Sequence, residues 1–168
     1  MDTAVTIARQ NDKLLKYLLL QVKQSVAIDN FPVIMHFDPT CQNLRPWCWP
    51  VTPSGMRVPP SEFHHYRAEF DFCGPCCLCS LDDPNRSYVE CAQYMALDGE
   101  LSGKYVVGCA TNTCGYKVDL EKVYRSVGTT MKKYAPRGMI QGAPGPLRRR
   151  RIWAGQAWSI TQRVQSLE

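Results

Sequence analysis

The sequence predicts an α+β protein: a small antiparallel β module stabilised by zinc, flanked by an N-terminal and a C-terminal helix and joined by loop-rich proline and glycine segments. Three observations carry this reading. Cysteines crowd into "FCGPCCLCSLDD" (72–83) and recur as a pair in "GCATNTCGY" (108–116). Apolar residues repeat at three- and four-residue steps in "VTIARQNDKLLKYLLLQVKQSVAI" (5–28), the period of a one-sided helix. Strand formers and turn residues alternate in blocks over 87–109, the pattern of a hairpin. The chain divides accordingly into an amphipathic helix over 1–30, a zinc-binding α+β domain over 31–135 and a flexible basic tail over 136–168.

Length and charge bound the rest. At 168 residues and 19.1 kDa the chain has material for one cored domain with tails, and not for a second full domain. Twelve prolines and eleven glycines point to many irregular connections. The formal charge of +5 is uneven. Residues 1–118 carry ten Lys/Arg against twelve Asp/Glu, whereas residues 119–168 carry ten against three. The positive field therefore belongs to the C-terminal part, where it favours a polyanion. The most apolar run, "LLKYLLLQV" (14–22), is interrupted by Lys16 and falls short of the roughly 18 apolar residues of a membrane span. It also lacks the flanks of a secretory signal. The expectation is no membrane partner and an intracellular setting, nuclear or cytoplasmic.

In the N-terminal helix, Leu15, Leu18, Leu19, Val22 and Val26 form the apolar stripe and Lys13, Lys16 and Lys23 take other faces. The stripe either packs on its own domain or pairs with another helix, which leaves a homo-oligomer through this helix as an alternative. "FPVIMHFDPT" (31–40) reads as a short strand ending in a turn. "NLRPWCWPVTPSGMRVPPSEF" (43–63) reads as an irregular connection pinned by Trp47 and Trp49, which flank Cys48. "SYVECAQYMAL" (87–97) and "KYVVGC" (104–109) read as paired strands, with "DGELSG" (98–103) as the turn. "DLEKVYRSVGTTMKKYA" (119–135) reads as the C-terminal helix. Asp119 supplies its cap, and Leu120, Val123, Tyr124, Val127, Met131 and Tyr134 its apolar stripe, although Gly128 weakens its middle. Its outer face carries Lys122, Arg125, Lys132 and Lys133. A Gly/Pro-rich linker and the tail with Arg148 to Arg151, Trp153 and Trp158 follow. Four adjacent arginines suit phosphate or an acidic protein, and neighbouring tryptophans suit stacking.

The nine cysteines cannot all close into intramolecular disulfides, and a reducing compartment would keep thiols free. Metal ligation suits the spacing better. Cys73 and Cys76, like Cys76 and Cys79, are separated by two residues, Cys77 and Cys79 by one, and Cys109 and Cys114 by four. Such turns let two thiolates face one ion, and two pairs close a tetrahedral zinc shell with no position left for chemistry. The tandem Cys76-Cys77 offers two registers, so Cys76, Cys77 and Cys79 all stand as candidate ligands beside Cys109 and Cys114. A second site drawn from His36, His64 or His65 with Cys41, Cys48, Cys73 or Cys91 has no regular spacing behind it.

The segment "GKYVVGCATNTCGYKVDL" (103–120) resembles the GRF-type zinc finger, a small β-rich module attached to some DNA-repair endonucleases, type III topoisomerases and other nucleic-acid enzymes. Gly103, Lys104, Tyr105, Cys109, Cys114, Gly115 and Tyr116 follow the family's order. Cys77-Leu78-Cys79 looks like its initial pair, so the resemblance spans 76–120. It implies Cys77, Cys79, Cys109 and Cys114 as zinc ligands, and contact with single-stranded nucleic acid through a finger edge containing Lys104, Tyr105, Tyr116 and Lys117.

No nucleophile elbow, phosphate loop or metal-hydrolase helix is present in the sequence. The expected function is therefore a non-enzymatic, zinc-binding module that contacts nucleic acid through that finger edge and through Arg148, Arg149, Arg150, Arg151 and Trp153 of the tail. The alternative is a protein-interaction or scaffold subunit of a larger assembly, in which zinc is purely structural.

Overall fold

The computed structural model describes residues 2–138 and begins with a long helix, α1 (Asp2–Ala27). Leu18 and Val22 of α1 are buried in the core, with Leu15, Leu19 and Val26 packed against it. The predicted stripe thus faces inward, while Lys13, Lys16 and Lys23 are exposed. After the helix the chain doubles back, with the Val33 amide donating to the Ser25 carbonyl at 3.0 Å.

Three small sheets follow. Strands β1 (Met35–Asp38) and β2 (Asn43–Pro46) form an antiparallel hairpin, whose turn is closed by the Thr40 amide on the Asp38 carboxylate. Strand β3 (Trp49–Val51) pairs in parallel with the distant β7 (Met131–Lys133), with Trp49 opposite Met131. Helix α2 (Phe63–Glu69) lies between them in sequence. It buries Phe63 and Tyr66 within the aromatic segment "EFHHYRAEF". The third sheet is antiparallel, in the order β4 (Ala92–Met95), β5 (Tyr105–Gly108), β6 (Lys117–Asp119). Its first hairpin is the one read from the sequence. The Gly103 amide donates to Ala96 at 2.7 Å, and Gly99 and Gly103 take the positive φ angles (73° and 77°) that the turn needs.

The C-terminal helix is much shorter than predicted. Helix α3 covers only Leu120–Tyr124, and the rest of 119–135 turns away and joins β3 as a strand. Asp119 caps α3 as expected, accepting from the Lys122 amide at 3.1 Å. The end has a specific cause. The Arg57 guanidinium donates to the carbonyls of Tyr124, Ser126 and Val127, giving the last carbonyls a partner other than the next helical turn. Thr129 adds a hydroxyl bond to the Val123 carbonyl. Val127, placed on the apolar stripe by helical spacing, is 89% exposed. Gly128 fits where the chain crosses Phe31: a Cβ there would lie 1.9 Å from the Phe31 ring.

The core beneath these elements is rich in aromatics. Trp47, Trp49, Phe63, Phe72, Tyr66 and Tyr134 form a continuous cluster, with centroid separations of 5.2 Å for Trp49–Phe63 and 5.3 Å for Phe63–Phe72. Their polar tips are satisfied by loop carbonyls: Trp47 Nε1 donates to Cys73, Trp49 Nε1 to Val58, Tyr66 to Val51 and Tyr134 to Cys48. Trp47 and Trp49 are core anchors that fasten the proline-rich connection. Among the described residues no helix is long and apolar enough to cross a membrane.

Two measurements check this packing. Replacing Arg57 by Ala should cost about 1–3 kcal/mol in chemical denaturation and loosen amide protection over 124–130; Lys, lacking the planar fork, should not restore it. His36 is the second case. Burial outweighs the attraction of Asp38 and lowers its pKa from 6.5 to about 4, and its Nδ1 accepts from the Cys76 amide at 3.1 Å. The unfolded chain takes up this proton near 6.5 and the folded chain only near 4. The contribution is therefore complete above pH 6.5 and is lost as pH falls towards 4, by about 2–3 kcal/mol. A His36→Asn variant, which keeps an acceptor without the titration, should flatten that part of the stability–pH curve.

Candidate metal centre

Two loops separated by some thirty residues of sequence build one cluster. The first is locked as an extra strand: Cys77 donates its amide to Val89, Cys91 to Pro75 and Phe37 to the Cys76 carbonyl, with Cys76 bridged to Glu90. Glu90 itself is held by both guanidinium nitrogens of Arg67 and by the Gly74 amide, which anchors the turn before Cys76. A 3₁₀ turn, Leu78–Asp82, then carries Cys79 round to the side of Cys77. The second loop leaves β5 at Gly108 and returns into β6. The Cys109 amide donates to the Tyr116 carbonyl at 2.8 Å, and Asn112 and Gly115 adopt positive φ angles.

The result is that the sulfurs of Cys77, Cys79, Cys109 and Cys114 all lie within 4.8 Å of one another. Cys77 is 3.1 Å from Cys114, and Cys79 is 3.5 Å from Cys109. A tetrahedral ion with bonds of about 2.3 Å to sulfur sets ligand atoms about 3.8 Å apart, so the quartet closes on a metal with only small adjustments. Cys77, Cys109 and Cys114 are buried and Cys79 half-buried.

The proton distribution favours the same use. Hydrogen bonds from the Cys77 and Cys79 thiols, with help from the Tyr116 amide, hold Cys114 well below its ordinary value against the cost of burial. The bond to Cys114 correspondingly drives Cys77 and Cys79 up. Burial raises Cys109, but the Thr111 hydroxyl and the amides of Cys114, Thr113 and Thr111 outweigh it and bring it below its ordinary value. The Thr113 amide lies 3.3 Å from that sulfur. A cation bound among these sulfurs would displace the remaining thiol protons.

The structure separates the remaining candidates. Cys76 is outside the quartet: its thiol donates to the Cys77 carbonyl at 3.7 Å, and burial pushes it up to about 12. Cys41 is exposed in the β1–β2 turn, and Cys48 and Cys73 are half-buried elsewhere. The rings of His64 and His65 lie 3.8 Å apart, tilted by 41°, on the exposed side of α2. Among the described residues, Cys77, Cys79, Cys109 and Cys114 form the one metal-competent group. Of the finger edge, Lys117 is exposed on β6, Tyr105 is half-buried on β5, and Lys104 is paired with Asp119 at 3.2 Å. Tyr116 requires correction: it is 1% exposed and donates to the Met35 carbonyl at 2.8 Å, so its ring belongs to the core and is closed to a base. Arg148, Arg149, Arg150, Arg151 and Trp153 lie outside the described residues. Cys91, a candidate for a second site, is buried outside the quartet, and sequence reasoning missed Thr111 and Thr113, whose hydroxyl and amide face the Cys109 sulfur. The hydroxyl-rich "ATNTC" spacing was the available signal for the two threonines.

In comparison with known proteins, the chain matches no protein-family model, no curated protein and no solved structure.

Ligand assignment can be checked directly. Replacing Cys77, Cys79, Cys109 or Cys114 singly by Ser should lower affinity for a thiophilic divalent ion at least about tenfold, read by competition with a chromophoric chelator. Cys76→Ser should leave that affinity unchanged.

Proposed function

We propose that this chain is a non-enzymatic module in which zinc is held by Cys77, Cys79, Cys109 and Cys114, and which contacts nucleic acid. The convergence of four thiol sulfurs from two rigid loops carries the metal half of this reading. Zinc suits four thiolates because it is borderline-soft, has no geometric demand beyond ligand packing and is not redox-active. A shell closed by four sulfurs leaves no site for substrate or activated water, hence a structural role. An intracellular setting, nuclear or cytoplasmic, keeps such thiols reduced.

The nucleic-acid half rests on charge and on the resemblance of 76–120 to GRF-type fingers. Lys117, Lys122, Arg125, Lys132 and Lys133 are exposed on the segment that runs from β6 through β7. The tail then adds Arg148 to Arg151 and Trp153. With Tyr116 buried and Lys104 paired, contact comes mainly from phosphates, and stacking falls to Tyr105 and Trp153. Single-stranded nucleic acid is the partner such a surface accommodates without groove geometry.

Binding of the full chain to a fluorescent oligothymidylate should therefore weaken steeply as salt rises. Lys132→Glu with Lys133→Glu should weaken it further at fixed salt, and replacing the four arginines should lower the salt slope by roughly two to four units. Salt-independent binding would contradict this reading.

A second reading has its own observation. Leu14, Tyr17, Leu20 and Ile28 of α1 and its exit are 42%, 57%, 52% and 52% exposed. An apolar surface of that kind suits a scaffold or homo-oligomeric contact. Sedimentation equilibrium distinguishes the two: a monomer that retards oligonucleotide supports the first, and a defined oligomer without nucleic-acid affinity the second.

A further inference from the structure

An open cavity of about 370 Å³ lies beside the cysteine quartet. Cys77, Cys79 and Cys109 line it together with the 83–89 loop, which contributes Asp83, Asn85 and Tyr88. No lysine, arginine or histidine lines it. The loop is well fastened. The Asp83 carboxylate accepts from the amides of Asn85 at 2.9 Å and Ser87 at 3.3 Å, the buried Ser80 hydroxyl donates to the Ser87 carbonyl, and the Tyr88 hydroxyl donates to the Gly74 carbonyl at 2.5 Å.

We infer that this cavity is a receptor for a compact organic cation, an ammonium or guanidinium head group. The inference rests on the metal reading above. Four thiolates around one divalent ion would carry a net charge of −2 beside the cavity that Cys77, Cys79 and Cys109 line, and Asp83 at the same cavity adds a carboxylate. Thiolate sulfurs and carboxylate oxygens accept hydrogen bonds from N–H donors. The volume stands at the small end of ligand sites, enough for an alkyl-guanidinium. The same charges repel phosphate, so this site is chemically separate from the basic segment proposed for nucleic acid. Two sources share the recognised chemistry: a free small amine, or an arginine or lysine side chain of a peptide.

The test uses the full chain, with its zinc content measured on the same sample, and follows amide shifts during titration with agmatine, with the blocked peptide Gly-Arg-Gly and with inorganic phosphate. Saturable shifts confined to 83–89 and 109–113 at millimolar agmatine, absent with phosphate, are expected. A response to agmatine alone assigns a free amine, and a response to both assigns a side chain. Asp83→Asn should weaken binding roughly fivefold, the effect of one partly screened charge. Ala110→Lys, which tethers an ammonium at the rim, should abolish it even where the Asn variant disturbs the loop. Zinc-loaded protein that shows no shift, the same shift with phosphate, or shifts elsewhere overturns the inference and leaves the metal reading standing. Metal-free protein as isolated overturns both.

Discussion

The meeting of four sulfurs at one point is the constraint on which the rest of the structure depends. Cys77 and Cys79 sit on a strand-like loop that touches β1 and the 89–91 segment, whereas Cys109 and Cys114 sit on the loop joining β5 to β6. A metal bound there ties the third sheet to the hairpin of β1 and β2 and, through Tyr116 and Leu19, to the neighbourhood of α1. The sheets are two or three strands each, small enough that none is stable alone. Zinc held there, as proposed, would contribute on the order of 10 kcal/mol, comparable with the whole net stability of a domain, about 5–15 kcal/mol.

The aromatic cluster supplies the complementary half. Its rings fill the space between α2, β3 and the 69–73 segment, far along the chain from the second cysteine loop, and their N–H and O–H groups fasten loops that have little regular pairing of their own. Arg57 works similarly, satisfying three backbone carbonyls from one guanidinium, and Glu90 joins the Arg67 guanidinium to the Gly74 amide. The chain thus replaces long ladders of secondary structure with a few polar fasteners around a cysteine quartet and an aromatic core.

What was legible in the sequence was local. The stripe of α1, the β4–β5 hairpin with its glycine turn and the cap at Asp119 are encoded within a few residues of where they act. The parallel pairing of β3 with β7 was not, because its partners lie some eighty residues apart and neither strand alternates. The end of α3 depends on Arg57, equally remote. At the metal centre, spacing found both cysteine groups but could not divide Cys76 from Cys77. The division comes from His36 and Val89, which take hold of the main chain at those residues and turn one thiol away. The burial of Tyr116 had a local signal: Tyr116 and Val118 alternate with Lys117, the inward–outward pattern of a half-buried strand.

The most direct measurement is the native mass of the purified full chain, with its reactive thiols counted before and after denaturation in chelator. The mass should carry one zinc per chain, and denaturation in chelator should release the thiols of Cys77, Cys79, Cys109 and Cys114 together with those of the buried Cys76 and Cys91. A metal-free mass with thiols missing in pairs would contradict the four-thiolate centre and, with it, the view that a metal holds these small sheets together.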